Sequence, residues 1–115
     1  MPSRARRDRG RETEGAVAGF LRDNGFPFAE RVGSGAPGAD ITGTPGVGFE
    51  VKARRELNLP AWLRQADQYD GLAVVIHRPD GFGVEKVGLW PMTLRLKDGA
   101  ELLIDAGYGE RDCRL

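Results

Sequence analysis

Gly38-Ala39-Asp40-Ile41-Thr42-Gly43-Thr44-Pro45-Gly46-Val47-Gly48-Phe49-Glu50-Val51-Lys52 is the stretch on which the reading of this chain turns. Ala39 to Gly43 and Val47 to Arg54 read as two strands around the turn Thr44-Pro45-Gly46, a hairpin by composition and spacing. In the second strand the two-residue period puts Phe49 and Val51 on one face, with Glu50 and Lys52 on the other. Asp40 joins that pair from the neighbouring strand. Two carboxylates and an ammonium facing one way are costly unless they have something to bind.

Upstream of the hairpin, Val17, Phe20 and Leu21 with the small Ala16 and Ala18 predict an amphipathic helix from Arg11 to Asn24, stopped by Gly25. Its inner side carries Glu14. Glu12 lies about 200° away around the helix, so both cannot face one site. Phe26 to Val32 reads as a strand, and residues 33–38 as a flexible loop. Downstream, Leu59 to Tyr69 predicts a second helix with Pro60 in its first turn and Leu63 and Ala66 inward. Leu72 to His77 is continuously apolar, the pattern of a strand buried on both faces. Asp80-Gly81 then leads into Gly83 to Trp90, read as an antiparallel strand. A short segment opened by Trp90-Pro91-Met92 runs to Leu96, and Glu101 to Ala106 reads as a last short strand. The expectation is one α/β domain over residues 11–115, preceded by a basic flexible arm, residues 1–10.

Composition bounds the function. With 115 residues, 40% of them hydrophobic and 30% charged, the chain can build one core and is not a disordered sequence. Leu72-Ala73-Val74-Val75-Ile76 is its longest apolar run, far too short for a bilayer span. The arginine-rich start leads into Glu12 and Glu14 instead of an apolar leader, and Cys113 has no partner for a disulfide. A cytoplasmic protein is therefore expected. Net charge is zero, but it is unevenly spread. Arg4, Arg6, Arg7, Arg9 and Arg11 face only Asp8 at the start, while Asp98, Glu101, Asp105, Glu110 and Asp112 outnumber Arg111 and Arg114 at the end. A basic amino-terminal segment suits phosphate contacts, the sequence-independent part of nucleic-acid affinity. A solvated tail without a partner is the competing reading of the same arginines.

Asp40 and Glu50 have the chemistry to hold a hard divalent ion, Mg²⁺ with Mn²⁺ able to substitute, the Val51 carbonyl being a further oxygen ligand. Lys52 would then sit beside an attacking water and stabilise its deprotonated form or the charge developing on phosphorus. Glu14 could hold a second ion or orient a water. Arg54 and Arg55, directly after the strand, can reach phosphate or simply be solvated. Gln65 and Gln68 lie on the second helix, with a solvated face as the plainer reading. His77, Trp62 and Trp90 are read as packed residues, not as site groups. The competing account of the whole group is a set of surface salt bridges.

The first half of the chain resembles the archaeal-type Holliday junction resolvases, members of the PD-(D/E)XK nuclease superfamily. The resemblance runs through Arg9-Gly10, Glu14, Leu21, Asn24-Gly25-Phe26, Arg31, Gly33-Ser34, Gly38-Ala39-Asp40-Ile41 and Phe49-Glu50-Val51-Lys52, over roughly residues 9 to 78. It departs at Gly15, where family members often carry a basic residue, and the second half matches only in pattern. The resemblance implies a restriction-endonuclease-like core, a mixed central β-sheet flanked by helices, and a homodimer. It implies Mg²⁺-dependent endonuclease action on a four-way DNA junction, serving recombination or phage genome processing. Asp40, Glu50 and Lys52 would form the catalytic core with Glu14 as accessory acid, while Arg31 and Ser34 would contact the scissile DNA backbone. Two alternatives stay open: another nuclease of the superfamily acting on linear or flapped DNA, and a non-catalytic DNA-binding module that kept the fold.

Overall fold

The computed structural model describes residues 4–32 and 39–110. It is a mixed α/β arrangement. Helix α1 (Arg4–Asp23) is followed by β1 (Glu30–Arg31), β2 (Ile41–Thr42), β3 (Val47–Lys52), α2 (Leu59–Ala66) and β4 (Leu72–His77). A 3-10 helix (Val84–Leu89), β5 (Met92–Thr93) and α3 (Leu96–Asp105) complete the order. Strands β3, β4 and β5 form one mixed sheet. β3 runs parallel to β4 from Val47 opposite Leu72 to Lys52 opposite His77, and β5 pairs antiparallel with β4.

Helices cover both faces of this sheet. Val17, Ala18 and Leu21 of α1 pack with Phe49, Val51, Val74 and Ile76, with Ile41 and Trp90 closing the cluster. Trp62 and Leu63 of α2 pack on Val75 from the other side. The alternation is the one expected of strands. Val74 and Ile76 look one way and Val75 the other, which is why the Leu72–His77 segment is apolar throughout. Glu50 and Lys52, out of phase with Phe49 and Val51, share the α2 face.

The hairpin is corrected. β2 pairs with β1, Arg31 opposite Ile41 and Glu30 opposite Thr42, and β3 takes its backbone partner from β4. The β2–β3 junction is made instead by a side chain: Asp40 Oδ2 accepts the Val51 N–H at 2.8 Å. A carboxylate stands where a neighbouring strand's carbonyl would be. The sequence pattern could not distinguish the two, because a turn flanked by short apolar runs serves either arrangement.

Further elements differ from the sequence expectation: the strand expected over Phe26 to Val32 is confined to Glu30–Arg31, and the helix expected over Leu59 to Tyr69 ends at Ala66. α1 begins at Arg4, so residues 4–10 are helical and not an arm. Arginine is a good helix former, and Asp8 lies 4.0 Å from Arg4 and 2.8 Å from Arg11 at helical spacing. Gly83 to Trp90 is no strand; Val84, Val87 and Trp90 turn inward every third residue, the period of a 3-10 turn. Glu101 to Asp105 belongs to α3, with Ala106 as its C-cap, and the leucines, alanine, lysine and Glu101 of that helix are good helix formers. That helix ends in a Schellman cap, Tyr108 N–H to Leu103 O at 2.9 Å and Gly107 N–H to Ile104 O at 3.0 Å, with Gly107 at φ +99°. Among the described residues no helix is long and apolar enough to cross a membrane.

Candidate active site

One face of α1 meets the end of β3 to form the cleft. Arg6, Arg9, Gly10, Thr13 and Glu14 recur at offsets of 3, 4, 7 and 8 from the first, a single helical stripe. Across from them stand Asp40, Glu50, Val51, Lys52 and the following Arg54 and Arg55, enclosing about 380 Å³. The floor is acidic and the rim basic.

Each floor residue is fixed by backbone geometry. Asp40 leaves β1–β2 through a bond in which its carbonyl accepts the Val32 N–H at 3.0 Å, while its carboxylate clasps Val51. A strand residue's N–H and C=O point to the same edge, so the Val51 carbonyl lies on the edge that Asp40 occupies. Glu50 is 5% exposed. Its Oε1 lies 3.1 Å from Lys52 Nζ, and that ammonium also stands 5.9 Å above the Trp62 ring. Glu50 Oε2 accepts the Tyr69 O–H at 2.8 Å. Phe49 and Val51, buried beneath α1, lock the strand that presents these groups.

Crowding of carboxylates is written in their protonation. Burial, then the charge of Asp40, pushes Glu14 up to about 7, with Glu50 adding and Arg31 opposing. Burial and the neighbouring Glu50 push Asp40 up to about 6, against the Val51 N–H and Lys52, which favour its ionised form. A carboxyl whose folded pKa is raised binds protons more tightly folded than unfolded, so stability falls as pH rises through that window. In EDTA the protein is therefore expected to lose stability between about pH 4.5 and pH 7, on the order of 1 kcal/mol per group after solvent screening. Urea midpoints at pH 5 and pH 8 check this, and Glu14→Gln should flatten the difference. An equal slope in that variant would remove the assignment.

The structure brings together Glu14, Asp40, Glu50 and Lys52, with Arg6, Arg9, Arg54 and Arg55 around them. Arg31, on β1, is near enough to Glu14 for its charge to favour the carboxylate. Arg4 and Arg11 lie on α1 outside the cleft lining and pair with Asp8; Arg7 is exposed on the same helix. Arg55 also makes an exposed 2.9 Å pair with Asp80. Ser34 and Cys113 lie outside the described residues. Gln65 and Gln68 are exposed. Trp62 and Trp90 are buried, and His77 Nε2 sits 2.7 Å from the Arg54 carbonyl. Glu12 leaves the site: it receives Arg78 Nη1 at 2.9 Å.

Sequence reading missed Tyr69 and Arg78. A signal for the tyrosine existed in Gly48, where an added Cβ would stand 2.7 Å from the Tyr69 Cβ. Only glycine lets the end of α2 come that close to β3. Arg78 gave no signal, because its partners Glu12 and Thr13 lie more than sixty residues away.

Among the described residues no group of three or more His, Cys, Asp and Glu forms a ready metal cage. Two carboxylates and a carbonyl at one edge are what a water-rich Mg²⁺ site requires of the protein. No protein-family model, no curated protein and no solved structure matches this chain.

Proposed function

We propose that this protein is a metal-dependent DNA endonuclease with a restriction-endonuclease-like core, acting on branched DNA and most specifically on four-way junctions. The observation that carries the reading is the Asp40–Glu50–Lys52 group at the end of one strand, backed by Glu14 and rimmed by arginines.

The fit to a divalent ion rests on the donors. They are all oxygens and they converge on one edge, where burial and the crowding of carboxylates raise the pKa values of Glu14 and Asp40. Asp40, Glu50 and the Val51 carbonyl would hold Mg²⁺, with Mn²⁺ as substitute. Such an ion supplies Lewis acidity toward the phosphate and its water. The rest is done by this chain's own groups. Lys52, held by Glu50 and Trp62, keeps a fixed positive charge beside the carboxylates, where it can stabilise a hydroxide or the extra charge on the phosphate. Glu14 has a pKa suited to taking a proton from water near neutrality. Arg6 and Arg9 on one side and Arg54 and Arg55 on the other can seat the phosphates of a strand across the cleft. Arg31 completes the charge near Glu14.

The reading includes a second copy of the chain. No residue of α3 is buried, and Leu96 is 87% exposed with Leu102 and Leu103 about half exposed. Leu89, Met92 and Tyr108, next to this helix in sequence, are also exposed. Large exposed apolar side chains gathered along one stretch of chain are what a partner surface would cover. Arg95, bound by both guanidinium nitrogens to Asp67 at 2.7 Å, ties the helix start to the body. A homodimer through this face also sets two clefts at a fixed separation, as cutting two strands of one branch point requires. Leu96→Glu with Leu103→Glu is expected to turn a dimer into a folded monomer, read by light scattering at about 50 µM. Unchanged mass would place the partner elsewhere.

Labelled four-way junction, linear duplex, flap and single strand, each with Mg²⁺ or EDTA, test the function. Paired, Mg²⁺-dependent cuts at the junction are expected. Equal cutting of linear duplex would favour the other nucleases of the superfamily. Binding without any cutting would favour a DNA-binding module.

A further inference from the structure

Tyr69 touches the site through Glu50, yet the nuclease reading gives it no task. It stands just beyond α2, where Tyr69 N–H bonds the Ala66 carbonyl at 3.1 Å. Gly48 lets its Cβ approach β3. The phenol then crosses to donate to Glu50 Oε2 at 2.8 Å while Lys52 holds Oε1 at 3.1 Å. Both oxygens of the carboxylate are thus gripped from opposite sides, one by a charge and one by a neutral donor.

We propose that Tyr69 is a positioning residue for the metal site: its hydroxyl fixes the orientation in which Glu50 meets a divalent ion beside Asp40. This rests on the nuclease reading above. Glu50 has a side chain with three rotatable bonds, and an ion pair with Lys52 alone leaves the carboxylate free to swing about it. A second donor on the other oxygen removes that freedom before the ion arrives, so less ordering remains for binding to do. The phenol is suited to this work. Its hydroxyl is a neutral donor already aimed at Glu50 Oε2. It also adds no charge to a site already crowded with it. A second ammonium on Glu50, beside that of Lys52, would compete further with the metal, whereas a tyrosine orients without adding charge.

Outer-sphere partners of this kind commonly change metal affinity by roughly 10- to 100-fold when removed. Tyr69→Phe keeps the ring against Gly48 and deletes one oxygen. Calorimetry with Mn²⁺ on the whole protein, without DNA, is expected to show at least tenfold weaker binding for Tyr69→Phe. Junction cleavage should fall at low Mn²⁺ and recover as Mn²⁺ is raised, whereas a purely structural residue would lower the melting temperature and leave the Mn²⁺ dependence in place. A parallel measurement does not depend on the variant folding. The chain has two tyrosines; labelled with 3-fluorotyrosine, Tyr69 should shift its fluorine resonance on Mg²⁺ addition while the exposed Tyr108 does not. Wild-type binding with equal affinity in Tyr69→Phe, or a fluorine signal indifferent to Mg²⁺, overturns the role of Tyr69 and leaves the nuclease reading standing. Absence of Mn²⁺ binding by the wild type overturns both.

Discussion

Lys52→Met is expected to lower single-turnover junction cleavage by about 10²- to 10³-fold at saturating Mg²⁺, the usual scale for removing one charge that meets a developing anion. Methionine preserves the length and packing of the stem and deletes only the ammonium. What is lost is specific: Lys52 Nζ is 3.1 Å from Glu50 Oε1 and lies over the Trp62 face, with its side chain 13% exposed. A charge so enclosed is little screened by water, so it acts on a bound phosphate at nearly full strength. Junction affinity should change by no more than about threefold, because Arg6, Arg9, Arg54 and Arg55 remain and carry most of the phosphate contact. Lys52→Arg tests geometry at constant charge. Its planar fork cannot reproduce a compact ammonium between a carboxylate and an indole, and a large loss is expected there as well. Arg55→Ala is the contrast: its pair with Asp80 is mostly exposed and holds little stability, and losing this rim charge should weaken junction affinity without lowering the single-turnover rate at saturation. Full activity in Lys52→Met under single turnover would mean that the site is elsewhere.

The contrast between Lys52 and Arg55 also shows which parts of this molecule were readable in its sequence. Glu50 and Lys52 were legible because a strand's period is fixed: once Phe49 and Val51 face the core, the charges between them must share the other face. Leu72 to His77 was legible for the same reason. Gly25 announced the end of α1 through the positive φ it supplies, +108°. Asp40 was placed beside the right residues for a wrong reason, since its side chain and not a strand ladder joins it to Val51. Where the period itself was ambiguous, reading failed. Val84, Val87 and Trp90 recur in threes, a spacing too short in extent for its period to stand out from a strand's. Leu102-Leu103-Ile104 is an apolar run that suits a strand until the leucine at 96, a full two turns earlier, is counted with it. Arg78 lay beyond reach, for its partners on α1 are distant in the chain, and Tyr69 left only the indirect mark of Gly48.

Arg78→Met is expected to destabilise the fold by about 2–4 kcal/mol, more than any exposed charge change in this chain. The guanidinium is 7% exposed and joins three segments. Its Nε donates to the Phe82 carbonyl at 2.8 Å, and Nη1 donates to Glu12 Oε1 at 2.9 Å and Thr13 Oγ1 at 3.0 Å. Its plane lies 5.4 Å from the Trp90 ring centre. Methionine would fill the volume of the stem but leave the carbonyl and the buried Thr13 hydroxyl without a donor, at about 1–3 kcal/mol for a group that stays dry. Loss of the contact with Trp90 adds on the order of 1 kcal/mol. Glu12 matters less. It is half exposed and can turn to water, so Glu12→Gln, which keeps an acceptor for Arg78, should cost under about 1 kcal/mol. For a domain of this size the arginine's loss corresponds to roughly 8–15 °C in melting temperature, read by calorimetry in EDTA. The consequence reaches the cleft, because Thr13 stands next to Glu14 on the helix that Arg78 holds against the 3-10 segment. A loosened α1 opens Glu14 to water and lets it drift from Asp40, and its raised pKa depends on that burial first and on that closeness second. The pH dependence of stability between pH 5 and pH 8 should therefore flatten in Arg78→Met, measured at a temperature where the variant is folded. An unchanged melting temperature would show that Arg78 is a spectator, and an unchanged pH dependence would show that α1 keeps its place without it.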